Sequence, residues 1–86
     1  MTDAELEALA AGLSEAQRKC ILAMEPGKFA RPKDIPAAGA TLHALWWHPT
    51  ACLVAREVMD GSPPYYEWRL ASDGVAARTA LEAKHV

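Results

Sequence analysis

Two of the three histidines, both cysteines and the three serines are the side chains in this 86-residue chain that invite a chemical reading first. Their spacing argues against catalysis. His43 and His48 are five positions apart, so a helix places them on different faces, and they cannot share a metal as an i, i+4 pair would. No grouping of Cys, His and carboxylate supplies a third ligand. Ser14, Ser62 and Ser72 fall at expected caps or turns, without an activating base nearby in sequence. Gly27, Gly39, Gly61 and Gly74 each stand between elements, and none belongs to a phosphate loop. No enzyme activity, metal or cofactor is expected. Cys20 and Cys52 lack a CxxC pairing and sit among apolar neighbours, so both are expected as buried thiols.

Binding chemistry is better represented. Between Gly39 and Thr50 the chain offers Thr41, His43, Ala44, Trp47 and His48 as residues able to face bases. Thr41 and His43 can each make a single hydrogen bond, and Ala44 or Trp47 can touch a thymine methyl. The segment holds no Arg, Lys, Asn or Gln, the residues that pair in bidentate fashion with guanine or adenine or supply charge to a reading helix. Phosphate contacts have more candidates: Arg18, Lys28, Arg31, Lys33, Arg56 and Arg69. Trp46 and Trp47 are about 100 degrees apart on a helix, so one faces the core and the other faces outward. With Trp46 in the core, an exposed Trp47 beside His43 and Ala44 has the composition of a protein-binding hot spot.

Charge and composition set the limits within which these residues act. The chain is 51% hydrophobic and 23% charged, inside the range of folded globular domains. Its formal charge of −2 is uneven. Asp3, Glu5 and Glu7 make residues 1–13 acidic, whereas residues 14–70 are nearly neutral. Dedicated DNA-binding domains usually carry a clear basic excess, so DNA contact here requires a local patch. No apolar run approaches the roughly 18 residues of a membrane span, and the N-terminus is acidic where a signal peptide would be basic. A soluble, cytoplasmic protein with no membrane partner is expected.

The positioning elements follow from local patterns. Thr2-Asp3-Ala4-Glu5 and Ser14-Glu15-Ala16-Gln17 both fit capping boxes. The first helix would stop near Gly12 with Leu6, Leu9 and Leu13 as its apolar stripe; the second would run to about Met24. Pro26-Gly27 ends it. Lys28 to Arg31 reads as a short strand, and Pro32, Pro36 and Gly39 leave room for barely one further helical turn. From Ala40 to about Trp47, Leu42, Leu45 and Trp46 share one face, and Pro49 stops the helix near His48. Thr50 to Asp60 has two readings: a strand with Val54, Arg56 and Val58 on one face, or a helix capped by Thr50. Tyr65 to Leu70 is strongly strand-like and needs a partner, which favours the strand. Ser72 or Asp73 would cap a last helix from about Gly74 to Lys84.

In its second half the chain resembles the winged helix-turn-helix superfamily, in particular the small MarR-type regulators of bacteria and phages. The residues that carry the resemblance are Ala40-Thr41-Leu42 with Ala44-Leu45, then Leu53-Val54-Ala55-Arg56, then Tyr66-Glu67-Trp68-Arg69-Leu70, with Gly74 four positions on. The resemblance implies an α+β, mostly α fold, with a short β-hairpin wing and an extra N-terminal helix. Residues 1–13 would be that helix and 14–86 the winged-helix domain, compact as one unit. It implies a transcription regulator that binds double-stranded DNA. A winged-helix adaptor that binds protein through the same helix is the alternative. The first helix is either a homodimerisation element or packs on its own domain. Ala71 in place of the family's capping threonine, the longer link Pro49–Cys52, and the cation-free helix face depart from the family pattern.

Overall fold

A computed structural model of the chain describes residues 2–35 and 39–83. These residues form an α+β, mostly helical domain. Helices α1 (Asp3–Gly12), α2 (Glu15–Ala23) and α3 (Ala40–Trp46) precede strands β1 (Val54–Met59) and β2 (Tyr65–Leu70), and helix α4 (Ser72–Ala83) follows. One 3-10 turn, Pro32–Asp34, stands between α2 and α3. Among the described residues, no helix is long and apolar enough to cross a membrane.

Both expected capping boxes form. Thr2 Oγ1 accepts the Glu5 N–H at 3.1 Å, and Glu5 Oε1 accepts the Thr2 N–H at 3.3 Å. Ser14 and Gln17 repeat the exchange at 3.1 and 2.8 Å, which starts α2 only two residues after α1 ends. Each box satisfies two N–H groups that a helix end would otherwise leave unpaired.

The strand expected from Lys28 to Arg31 shrinks to one residue. Ala30 exchanges both backbone hydrogen bonds with Trp68, at 2.7 and 2.8 Å. Hydrogen-bonded positions recur every second residue in an antiparallel ladder, and the next one is Pro32, which has no N–H to give. The chain turns instead into the 3-10 segment. The part of that expectation resting on Pro36 lies outside the described residues. Gly39, at φ 80°, then leads into α3 through a backbone conformation that side-chain-bearing residues rarely adopt.

Residues 54–59 are strand, which decides between the two readings of Thr50 to Asp60. β1 pairs antiparallel with β2 from Val54↔Leu70 to Met59↔Tyr65. Val54, Arg56 and Val58 therefore share one face with Leu70, Trp68 and Tyr66, while Ala55, Glu57 and Met59 share the other with Arg69, Glu67 and Tyr65.

The start of α4 corrects the expected cap. The helix begins at Ser72, with the Ala71 carbonyl accepting the Val75 N–H at 2.9 Å, so Ser72 and Asp73 lie inside the first turn. Packing sets this start. The Leu53 carbonyl accepts the Ala71 N–H at 3.1 Å and lies directly over Gly74, where a side chain of any size would collide with it. The expected end at Lys84 lies outside the described residues.

The core draws on all four helices and both strands: Leu9 of α1 with Leu13 just beyond it, Ile21 of α2, Leu42 and Leu45 of α3, Val54, Trp68 and Leu70 of the hairpin, Leu81 of α4. α1 packs on α4, so its apolar stripe is used within its own domain. Cys20 is buried as expected, and burial pushes its thiol pKa up to about 11. Cys52 is exposed, contrary to expectation. Its neighbour Leu53 takes the core position, which turns Cys52 outward, and its thiol donates to the Val54 carbonyl at 3.1 Å.

Candidate functional site

The register of the hairpin decides where the arginines go. Arg56 lies opposite Trp68 on the face of the ribbon that meets α3. Its guanidinium carbon is 4.1 Å from the centre of the Trp46 ring, 4.2 Å from that of Tyr66 and 5.7 Å from that of Trp68. These are cation–π distances. Among the described residues no carboxylate forms an ion pair with Arg56. Its planar fork is fixed by aromatic stacking, and among the described residues its donors make no hydrogen bond.

Arg56, Tyr66 and Trp68 of this stack form one wall of a groove of about 380 Å³ between α3, the 3-10 turn and the hairpin. Arg31, Lys33 and His43 line it with Arg56, and Leu42, Tyr65, Tyr66 and Trp68 supply its apolar and aromatic surface. Among the described residues no carboxylate lines it. Arg31 stacks over Tyr65 at 4.3 Å and approaches Glu67 at 3.9 Å, beyond hydrogen-bond reach. His43 stands edge-on to Trp68 at 5.7 Å, on the groove side of α3.

The remaining residues singled out in the sequence do not join this groove. Lys28 pairs with Glu25 at 2.8 Å; that hydrogen-bonded pair raises the Lys28 pKa and lowers the Glu25 pKa. Arg18 donates to the Leu13 carbonyl at 2.9 Å and braces the α1–α2 junction. Arg69 is on the outer face of the ribbon, 5.9 Å from the Phe29 ring centre. His48 accepts the Thr50 N–H on Nδ1 at 3.2 Å and lines a separate cleft with Glu5 and Leu9 of α1. Thr41 is half-buried, and Ala44 is exposed.

The two tryptophans divide nearly as expected. Trp47 is 72% exposed, its ring resting on Trp46 at 4.9 Å. Trp46 lies at the edge of the core beneath Arg56, half-buried, and Trp68 is the tryptophan inside the core. Residue spacing alone does not single out the aromatic wall of the groove. Its signal is an arginine alternating between two valines, opposite a strand that carries Tyr66 and Trp68 at matching parity.

Fold and groove together define a small, mostly helical α+β domain that presents a cation-rimmed aromatic groove beside a short helix. Comparison with known proteins finds no matching family model, no matching curated protein and no matching solved structure.

Proposed function

We propose that this is a small winged-helix DNA-binding protein, a transcription regulator of the bacterial or phage kind acting in the cytoplasm, with α3 as its reading helix and β1–β2 as its wing. The order of helices and hairpin supports this reading. The observation that carries it is the meeting of Arg31, Lys33 and Arg56 on one groove beside α3, with no carboxylate among the described lining residues and only a long ion pair from Arg31 to Glu67. A chain of net charge −2 can hold phosphate only where its cations converge. A dimer on paired half-sites would need a surface other than the apolar stripe of α1, because Leu9 and Leu13 are already buried within the domain.

Fluorescence anisotropy with a labelled DNA fragment tests this, read across a salt series. Affinity should fall steeply as salt rises, and Lys33→Gln with Arg56→Met should flatten the log–log slope by about 0.9 for each phosphate that is no longer neutralised. Binding that ignores both salt and these substitutions would remove the reading.

One observation favours the protein-binding adaptor instead. Trp47 stands largely in solvent at the end of α3, and the outer face of the ribbon sets Glu57 directly opposite Glu67, an arrangement that repels phosphate. An aromatic contact with a protein would change little with salt, so the same titration separates the two readings.

A further inference from the structure

We propose that the groove receives an unpaired nucleotide, so that the protein prefers single-stranded or locally opened DNA to a fully paired duplex; this rests on the DNA-binding reading above and names the form of DNA. Shape is the first reason. A duplex reader pushes a convex element into a DNA groove, and α3 is poorly equipped for that: it has seven residues, and its exposed positions Ala40, His43 and Ala44 include no arginine, lysine or amide. The cations are gathered instead around a hollow of the protein, which admits a ligand rather than entering one. At about 380 Å³ this hollow is at the small end of ligand sites and has room for about one nucleotide.

The wall chemistry points the same way. Tyr66 keeps 42% of its surface exposed while one of its ring faces meets the Arg56 guanidinium. Unstacked bases are held on aromatic rings and on guanidinium planes, and this wall offers both. A base paired inside a duplex has no free face to offer. Arg31 and Lys33 line the same groove and can meet the phosphates beside the captured base.

The test uses the full chain and four labelled probes of one mixed sequence: a single strand, the same strand with an abasic site at every second position, the fully paired duplex, and that duplex with a central unpaired bubble. Anisotropy gives affinity, and quenching of tryptophan emission reports contact beside Trp68 in the groove wall. The single strand and the bubble should bind at least about tenfold more tightly than the duplex, and the abasic strand should lose most of that advantage. Tyr66→Ala should reduce single-strand affinity at least about fivefold and reduce duplex affinity by clearly less; circular dichroism confirms that the variant is folded. A duplex bound as tightly as the single strand, or an abasic strand bound as tightly as the intact one, overturns the unpaired-nucleotide site and leaves DNA binding standing. Failure to bind any of the four overturns the DNA-binding reading itself.

Discussion

The Arg56 guanidinium carbon lies 4.1 Å from the centre of the Trp46 ring, and through that stack β1 is held to α3 across the mouth of the groove. Stacking and charge are separable there. Arg56→Ala removes both and should destabilise the fold by about 1–2 kcal/mol, because the cation–π stack and the packing of the aliphatic stem disappear together. Arg56→Met restores most of the packing. Urea unfolding should therefore rank wild type above Met above Ala, whereas DNA affinity should fall equally in both variants. An Arg56→Met protein that binds DNA like the wild type would show that the guanidinium serves the fold alone.

Gly74 and Gly12 give opposite responses to the same change. Alanine at Gly74 gains about 1 kcal/mol of helix propensity, but its methyl would strike the Leu53 carbonyl, which is itself bonded to Ala71 and cannot retreat without breaking the start of α4. Overpacking of this kind costs about 1–3 kcal/mol or more against rigid backbone, so Gly74→Ala should lower the unfolding midpoint. At Gly12 nothing stands within 4 Å of an added methyl, and Gly12→Ala should raise stability by up to about 1 kcal/mol. Thermal melts of the two variants check the pair. Equal responses would mean that the contact between α4 and Leu53 does not exist in solution.

What was legible in the sequence was what is local. Both capping boxes depend on side chains three residues apart, and Gly12 and Pro49 act on the backbone beside them, so α1, α2 and the limits of α3 could be read directly. Strand β1 was legible through its partner, because Tyr65–Leu70 demanded a neighbour. Long-range register was not legible. Neither the stacking of Arg56 on Trp46, nor the placement of Arg69 on the opposite face, nor the pressure of Leu53 on Gly74 follows from spacing along one strand. The shift of the α4 cap to Ala71 has the same origin, since a contact 21 positions away in sequence overrides the serine and aspartate that local chemistry prefers. The candidate site was legible as residue types but not as a place: three of the six phosphate candidates converge, and the other three are engaged elsewhere.

The two cysteines should separate cleanly by reactivity. Cys52 is exposed and should react promptly with a thiol reagent at neutral pH, whereas Cys20, wholly enclosed and with its pKa raised to about 11, should react only as the protein unfolds. The raised value also has a sign for stability. The folded state keeps the Cys20 proton more strongly than the unfolded chain, whose thiol has its ordinary value of 9.0. The contribution is therefore fully present below pH 9 and is lost as pH rises towards 11. Cys20→Ala should show a weaker alkaline decline in unfolding midpoint than the wild type. Two equally fast thiols in the native protein would contradict the burial.

At the start of α1 the sign is reversed. Hydrogen bonds from the Thr2 backbone N–H and then from its side chain lower the Glu5 pKa below the ordinary carboxylate value. A depressed carboxylate supports the fold above its unfolded value, and the support is lost as pH falls through the folded one. Substitution Thr2→Ala removes the hydroxyl side of the box, so the Glu5 carboxyl should titrate at higher pH in that variant. A carbon-detected NMR titration of Glu5 reads this directly, and an unchanged midpoint would mean that the box is not populated in solution.

Trp47 offers the sharpest separation of fold from function. Its ring touches Trp46 and is otherwise 72% exposed, so Trp47→Ala removes little buried surface and should alter stability by no more than about 0.5 kcal/mol. The variant should therefore melt like the wild type. If the protein works by gripping DNA in the groove, DNA affinity should fall by less than about threefold, because Trp47 does not line that groove. If it works as an adaptor, the same substitution removes the most exposed aromatic on α3, and partner affinity should drop by roughly a hundredfold, the scale of a missing hot-spot tryptophan. Measuring the melt and the DNA affinity on one purified variant distinguishes these outcomes, since a protein that stays folded and keeps its grip on DNA has no need of Trp47 for that task.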